Sequence, residues 1–346
     1  MFKPLACIVL SSFFLTAAVA DTGLSGVWEG VLDGKQIRLC FNSSEPATAG
    51  WYELDLATVQ ALGLVRDAGV WSEPENKARW MFKVAESGVL NAARTASVDG
   101  HEQRLRLLRQ SGSSSADNCA SEAFRKPVET ALSNTRLSRR DVAGYPYERR
   151  ERYGQEVMVL VGEGDVIAKV NADLSRLASY PGQAQTFYEQ LRQSLLNYAK
   201  VEVDERVVSP YYRSENWVTF RFYQWAAGTG RNGISWGFHT WDLSSAEEVD
   251  PWSWFGAKFQ WHDAYSGSVQ LPDKLRLWLA SQVEVAEGCS ALAENDSYNL
   301  TFDRQGIRLT TPAYGDGCEL DRSFTWAQVQ PLLAEPGRKA LARLRH

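Results

Sequence analysis

What this chain has little of narrows it first. Only five of its 346 residues are cysteine and four are histidine. No two cysteines stand at C-x-x-C spacing, and His101, His239, His262 and His346 lie far from them in sequence, which argues against a zinc site. Walker, dinucleotide-binding and metalloprotease patterns are missing, so no metal or other cofactor is expected. Basic blocks are missing too: 37 Lys and Arg stand against 42 Asp and Glu, for a formal charge of −5. A mildly acidic chain of this kind argues against a nucleic-acid role and leaves room for a basic protein partner. After the first twenty residues no apolar run is long enough to cross a bilayer.

Those first residues have their own signature. Lys3, the apolar stretch from Leu5 to Leu15, and Ala18-Val19-Ala20 before Asp21 read as a secretory signal peptide over 1–20, cleaved near Ala20. Cleavage leaves 346 − 20 = 326 residues and, with Lys3 gone, a charge of −5 − 1 = −6. That length suits two domains with proper cores, and the leader predicts a soluble periplasmic or secreted protein. Cys7 leaves with the leader. Cys40, Cys119, Cys289 and Cys318 remain, an even number that favours disulfides in an exported chain. Four cysteines allow three pairings, and proximity favours Cys40 with Cys119 and Cys289 with Cys318.

Residues 21–120 read as a small antiparallel β domain. Gly26 to Leu32, Asp33-Gly34, then Lys35 to Phe41 is the pattern of a hairpin on a type I′ turn. Gly50 to Leu56, Arg79 to Val84 and His101 to Arg109 are further strands. Residues 121–147, with Pro127, Pro146, several arginines and little apolar periodicity, read as a linker with a short helix around Val128 to Leu132. Residues 148–346 read as a larger α+β domain. Ile167, Val170, Leu174 and Leu177 keep helical spacing, as do Phe187, Leu191, Leu195 and Tyr198. Two such helices feeding a run of strands predict helices packed on one face of an antiparallel sheet. The longest strand signal is Trp217 to Phe255, where aromatic and β-branched residues alternate at a period of two on either side of Gly228, Gly230 and Gly233. Pro272 to Glu284 and Ala327 to Leu333 add helices, and 338–346 reads as a solvated basic tail.

Motif order in this second domain resembles a known family. Asn171 in the first helix, Tyr211-Tyr212 before Asn216-Trp217-Val218-Thr219-Phe220, the glycine-rich turn, Phe238 to Leu243, and Asn299 to Thr311 followed by Phe324-Thr325-Trp326 are similar to the extracytoplasmic domain of the RsiV anti-sigma factors. The same module accompanies the PdaC peptidoglycan deacetylase. The likeness covers about 145–333. Family members place Gly-Ala-His in the turn where this chain has Ala226 to Gly230, so no histidine role carries over. The resemblance implies recognition at the cell envelope, because RsiV binds lysozyme through this domain. The first domain is similar to β domains of uncharacterised exported bacterial proteins.

Three constellations carry possible chemistry. Gly233-Ile234-Ser235-Trp236-Gly237 spells G-x-S-x-G with His239 nearby, but a nucleophile elbow needs a helix after the serine and a strand pattern follows here. Asp204, Glu205, Glu247, Glu248 and Asp250 could supply paired carboxylates for glycoside hydrolysis, although carboxylates in turns are more often solvated. Trp252, Trp254, Trp261 and Tyr265 form the densest aromatic cluster and are candidate ligand-binding residues, against a reading as core packing that the resemblance favours about two to one, because Trp254 and Phe255 lie where the family keeps a core hydrophobe. The expectation is a binding protein without catalysis that recognises or neutralises a lysozyme-like, wall-degrading enzyme. The alternative is a peptidoglycan or polysaccharide binder or hydrolase built on the aromatic cluster.

Overall fold

A computed structural model of the chain describes residues 23–344 apart from 43–46, 56–57, 66–69, 87, 97–99, 115–116, 181, 283–297 and 313–318. The leader, Cys289 and Cys318 lie outside the described residues.

Eight consecutive antiparallel strands close into a barrel: β1 (Gly26–Leu32), β2 (Lys35–Asn42), β3 (Thr48–Glu53), β4 (Gln60–Val65), β5 (Val70–Ser72), β6 (Arg79–Glu86), β7 (Val89–Thr95) and β8 (Glu102–Arg109), with β1 pairing β8. Asp33 and Gly34 both take positive φ in the first hairpin, as a type I′ turn demands. Eight strands enclose a lumen just wide enough for side chains. Trp28, Trp51, Trp71, Trp80, Phe41 and Leu39 fill it. Glu73, 1% exposed, lies among them, accepting from Trp80 Nε1 at 2.6 Å and from Arg94 Nε at 2.9 Å. Burial alone would raise its carboxyl, but the hydrogen bonds from Arg94, Trp80 and Asn76 outweigh it and hold the group below its ordinary value.

Residues 121–147 are not a loose connection. They carry α1 (Glu122–Ser133), β9 (Arg136–Val142) and the start of β10 (Tyr145–Arg152). Phe124, Val128 and Leu132 fall four apart, and the first two are fully buried. The short helix expected around Val128 to Leu132 is the second half of α1; Pro127 hid the first half, since proline normally breaks a helix by removing a donor to the carbonyl four residues back. Here that carbonyl, Ala123 O, accepts instead from Arg38 on β2 at 2.5 Å, while the same guanidinium pairs with Glu29. A disulfide joins Cys40 on β2 to Cys119 just before α1.

The second half is built on a seven-stranded sheet of order β15-β14-β13-β12-β11-β10-β9. Its remaining strands are β11 (Gln155–Leu160), β12 (Glu205–Arg213), β13 (Trp217–Trp225), β14 (Ile234–Asp242) and β15 (Glu247–Val249). Two helices, α2 (Asp165–Ala178) and α3 (Gln183–Tyr198), cross between β11 and β12, which makes that pair parallel within an otherwise antiparallel sheet. Val170 and Leu174 of α2 pack on Val208, Phe220 and Phe222, and Asn171 fixes the helix to the end of β11 by bonding both the N–H and the C=O of Leu160. The stripe Phe187, Leu191, Leu195 on α3 turns the other way and buries against Cys40, Tyr52, Phe124 and Val128 of the barrel side. The two halves therefore share a core.

A smaller layer closes the far end. It comprises a 3-10 turn over Pro251–Phe255, the hairpin β16 (Lys258–Trp261) and β17 (Gly267–Gln270), α4 (Asp273–Gln282), and the sheet β18 (Asn299–Phe302), β19 (Gly306–Thr310), β20 (Asp321–Thr325). The short helix α5 (Trp326–Val329) and α6 (Glu335–Leu344) complete it. The expected solvated tail is this last helix: Ala340 and Leu341 are buried against the same core as Trp254, and Arg343 holds Asp242 with contacts of 2.5 and 2.9 Å. That ion pair, with Ser244 as a further donor, holds the Asp242 carboxyl down at about 2. Basic residues concealed the helix because its apolar face is narrow. Among the described residues no helix is long and apolar enough to cross a membrane.

Candidate functional site

The β13–β14 hairpin has two faces. Val218, Phe220 and Phe222 point to the core under α2 and are fully buried. On the other face Trp217 is buried edge-on to Trp254 at 5.7 Å, and the hydroxyls of Thr219 and Thr240 meet at 2.9 Å. Further along the strands this face opens. Arg221 is exposed, and Tyr223, Trp225, Ile234 and Trp236 are half-buried as register pairs, Tyr223 with Trp236 and Trp225 with Ile234. None of the four belongs to, or packs on, the cores of the second half.

Hydrogen bonds hold the two indoles in place. Trp225 donates its indole N–H to Gly230 O at 2.8 Å, and Trp236 donates to Thr310 Oγ1 at 3.3 Å. Tyr211, from the bulge in β12, stands edge-on to Phe238 at 4.9 Å and accepts from Arg308 at 3.2 Å. Glu205 is the register partner of Trp225. Partial burial raises the Tyr223 hydroxyl above its ordinary value, and the Glu205 carboxylate adds to the effect. The result is a held aromatic surface with charges at its margin, the composition that dominates protein contacts.

A second, smaller feature lies against the opposite face of β14. His239, 2% exposed, stacks on Trp261 with ring centres 4.0 Å apart. Its Nδ1 meets Glu248 at 2.5 Å and its Nε2 meets Ala264 O at 3.1 Å, so both ring nitrogens face acceptors. Beside it Asp250 caps the 3-10 turn by accepting from Trp252 N at 2.9 Å. Burial pushes the Asp250 carboxyl up to about 6, with the Trp252 N–H opposing and Glu248 adding. A raised carboxyl penalises the folded state once pH climbs above the unfolded value near 3.8, and fully above about 6. Asp250→Asn keeps the capping oxygen and removes the charge. It is expected to stabilise the protein by about 1 kcal/mol at pH 7 after allowance for solvent screening, and by nothing near pH 3. Equal stability of variant and parent across pH 3–8 in urea titrations would show the assignment wrong.

The aromatic cluster named from sequence does not assemble as a platform. Trp252 and Trp254 are each 3% exposed inside the core of the closing layer, and Tyr265 is 5% exposed under α2. A ring sealed on both faces cannot stack on a sugar from solvent. Trp261 alone is half-open, and its free face is limited by the edge-on Phe259 at 4.7 Å. Residues missed by sequence reasoning are Tyr211, Tyr223, Trp225 and Trp236. The signal of Tyr223, Trp225 and Trp236 was present in the alternation itself, since a strand aromatic on both faces seldom buries both; Tyr211, on β12, lies outside it.

Ser235 sits inside β14, with strand continuing to Asp242, and its hydroxyl accepts from Gln224 at 2.8 Å. His239, four strand residues on, is about 13 Å away at the usual rise, and both its nitrogens are engaged. The G-x-S-x-G string therefore forms no elbow. Of the carboxylates, Asp204 accepts from Ala227 N at 3.0 Å, Glu248 holds His239, and Glu247 is exposed at the sheet edge. A shallow groove of about 580 Å³ between barrel and α1 is lined by Leu54, Gln110, Lys126 and Pro127, and Arg38 at its base is already engaged.

No protein-family model and no curated protein matches the chain. Among solved structures it is distantly similar to a crystal structure of a member of the DUF3298 family from Bacteroides fragilis. The two are 12% identical over 58% of this chain and 93% of that one, with a TM-score of 0.34.

Proposed function

We infer that this is an extracytoplasmic binding protein whose open hairpin face recognises, and holds in check, a wall-degrading enzyme of lysozyme type. The observation that supports the reading is the set Tyr211, Trp225 and Trp236, held by hydrogen bonds and a ring contact, with Tyr223 beside them under Arg221, all left half-open outside the cores. Pre-ordered aromatic rings lose little freedom on binding, so they suit the centre of an interface. The acidic balance of the chain suits a basic partner such as a lysozyme. The Cys40–Cys119 bridge suits an oxidising compartment outside the cytoplasm.

Joint replacement of Trp225 and Trp236 by alanine is expected to weaken binding to a basic muramidase by about 2 kcal/mol or more, roughly 30-fold. Salt should weaken the parent complex as well, through its rim charges. Titration calorimetry on the parent and the double variant reads both effects. Unchanged affinity in the double variant would remove this face from the interface. The polysaccharide alternative rests on the half-open Trp261, so retention on purified peptidoglycan that Trp261→Ala abolishes would favour it instead.

A further inference from the structure

The seven-stranded sheet ends on a strand unlike its others. Every side chain of β9 from Arg136 to Asp141 is exposed, Leu137 by 61%, and no described strand pairs beyond it. Exposed edges invite another strand, and proteins usually shorten or cover them. This one is seven residues long.

Its register says which backbone groups are free. Ala143 and Gly144 both have positive φ in a two-residue turn, so Val142 and Tyr145 exchange the first pair of hydrogen bonds. Bonding then alternates along the ladder: Arg140, Ser138 and Arg136 direct their N–H and C=O to β10, while Leu137, Arg139 and Asp141 direct theirs outward.

Charge singles out the same edge. Between Arg136 and Arg152 there are six arginines and three carboxylates, a local balance of 6 − 3 = +3 in a chain of net −5. The carboxylates are already taken. Glu148 pairs with Arg150, Glu151 with Arg136 and Arg149, and Asp141 accepts from Gly144 N in the turn. The guanidiniums of Arg139 and Arg140 have no hydrogen-bond or ion-pair partner among the described residues.

We propose that the free edge of β9 takes an extended acidic peptide of a partner protein as an added strand, with paired carboxylates meeting Arg139 and Arg140 and an apolar side chain covering Leu137. Main-chain bonds from Leu137, Arg139 and Asp141 supply the attachment, and the two guanidiniums, one on each face of the strand, select against neutral or basic sequences. The site is separate from the aromatic hairpin face and does not depend on that face's assignment.

Fluorescence anisotropy with a short labelled peptide of alternating valines and paired glutamates tests it. The peptide should bind the full-length protein, and its lysine counterpart should not. Arg139→Glu with Arg140→Glu should weaken binding by about tenfold or more. Leu137→Pro keeps every charge and removes one outward N–H, which costs β10 no hydrogen bond; it should also weaken the peptide by about tenfold while leaving polyphosphate, a polyanion without a peptide backbone, unaffected. If Leu137→Pro disturbs the fold by near-ultraviolet circular dichroism, backbone N-methylation of the peptide makes the same test on the parent protein. Peptide and polyphosphate binding alike, with no loss on N-methylation, would reduce the edge to a diffuse cationic patch. Absence of peptide binding would leave the arginines as guards against aggregation, and Arg139-dependent self-association would name a second copy as the occupant. Each of these three results overturns the proposal.

Discussion

Removing the Cys40–Cys119 bridge is expected to lower stability by about 4 kcal/mol, from the chain entropy that a closed loop of this length withholds from the unfolded state. The two cysteines are 79 residues apart, so the bridge spans nearly the whole barrel sequence. It also lies in the shared core with Tyr52, Phe124, Phe187 and Leu191, which couples the barrel to α1 and α3. Loss of the bridge therefore affects the junction of the two halves, and hydrogen exchange should rise in α1 and α3 as well as in β2. Denaturant unfolding of Cys40→Ala/Cys119→Ala, compared with the oxidised parent, reads the size of the effect. A shift below about 1 kcal/mol would show that packing of the junction holds without the bridge.

Glu73→Ala is expected to cost about 2–3 kcal/mol, because it leaves the largely buried Arg94 guanidinium without its carboxylate. Arg94 lies about equally over Trp51 and Trp80, with its guanidinium carbon 5.8 Å from either ring, and its ion-pair partner is Glu73. Deleting the carboxylate also leaves Trp80 Nε1 without its acceptor in the lumen. Replacing both members, Glu73→Leu with Arg94→Leu, removes the charge problem together with the pair and should recover most of the loss. Thermal unfolding of the three variants supplies the comparison. If the double variant is as unstable as Glu73→Ala, the pair contributes through shape and not through charge.

Local chemistry was legible in the sequence where one residue type decides the geometry. Asp33-Gly34 announced its turn, and the spacing of Ile167, Val170 and Leu174 announced α2. The α+β class followed from the order of such signals. Legibility failed where a distant side chain changes the local rule. Pro127 reads as a breaker until Arg38, far back in the chain, satisfies the carbonyl it frees. The α3 stripe is plain in sequence, but nothing local says that it faces the barrel and not the sheet. Closure of eight short strands depends on β1 meeting β8, which no strand records in its own residues. The candidate site failed for a related reason. Density of tryptophan pointed to Trp252 and Trp254, whereas exposure is set by what the closing layer covers, and it covers those two and leaves Trp225 and Trp236.

The most direct measurement is the rate at which a basic muramidase clears a suspension of purified cell wall at low ionic strength, with increasing amounts of this protein present. A rate that falls to a plateau as the protein approaches equivalence, and that is restored by the Trp225→Ala/Trp236→Ala variant, is the predicted result. An unaltered rate at every ratio, or clearing of the wall by this protein on its own, would contradict the account.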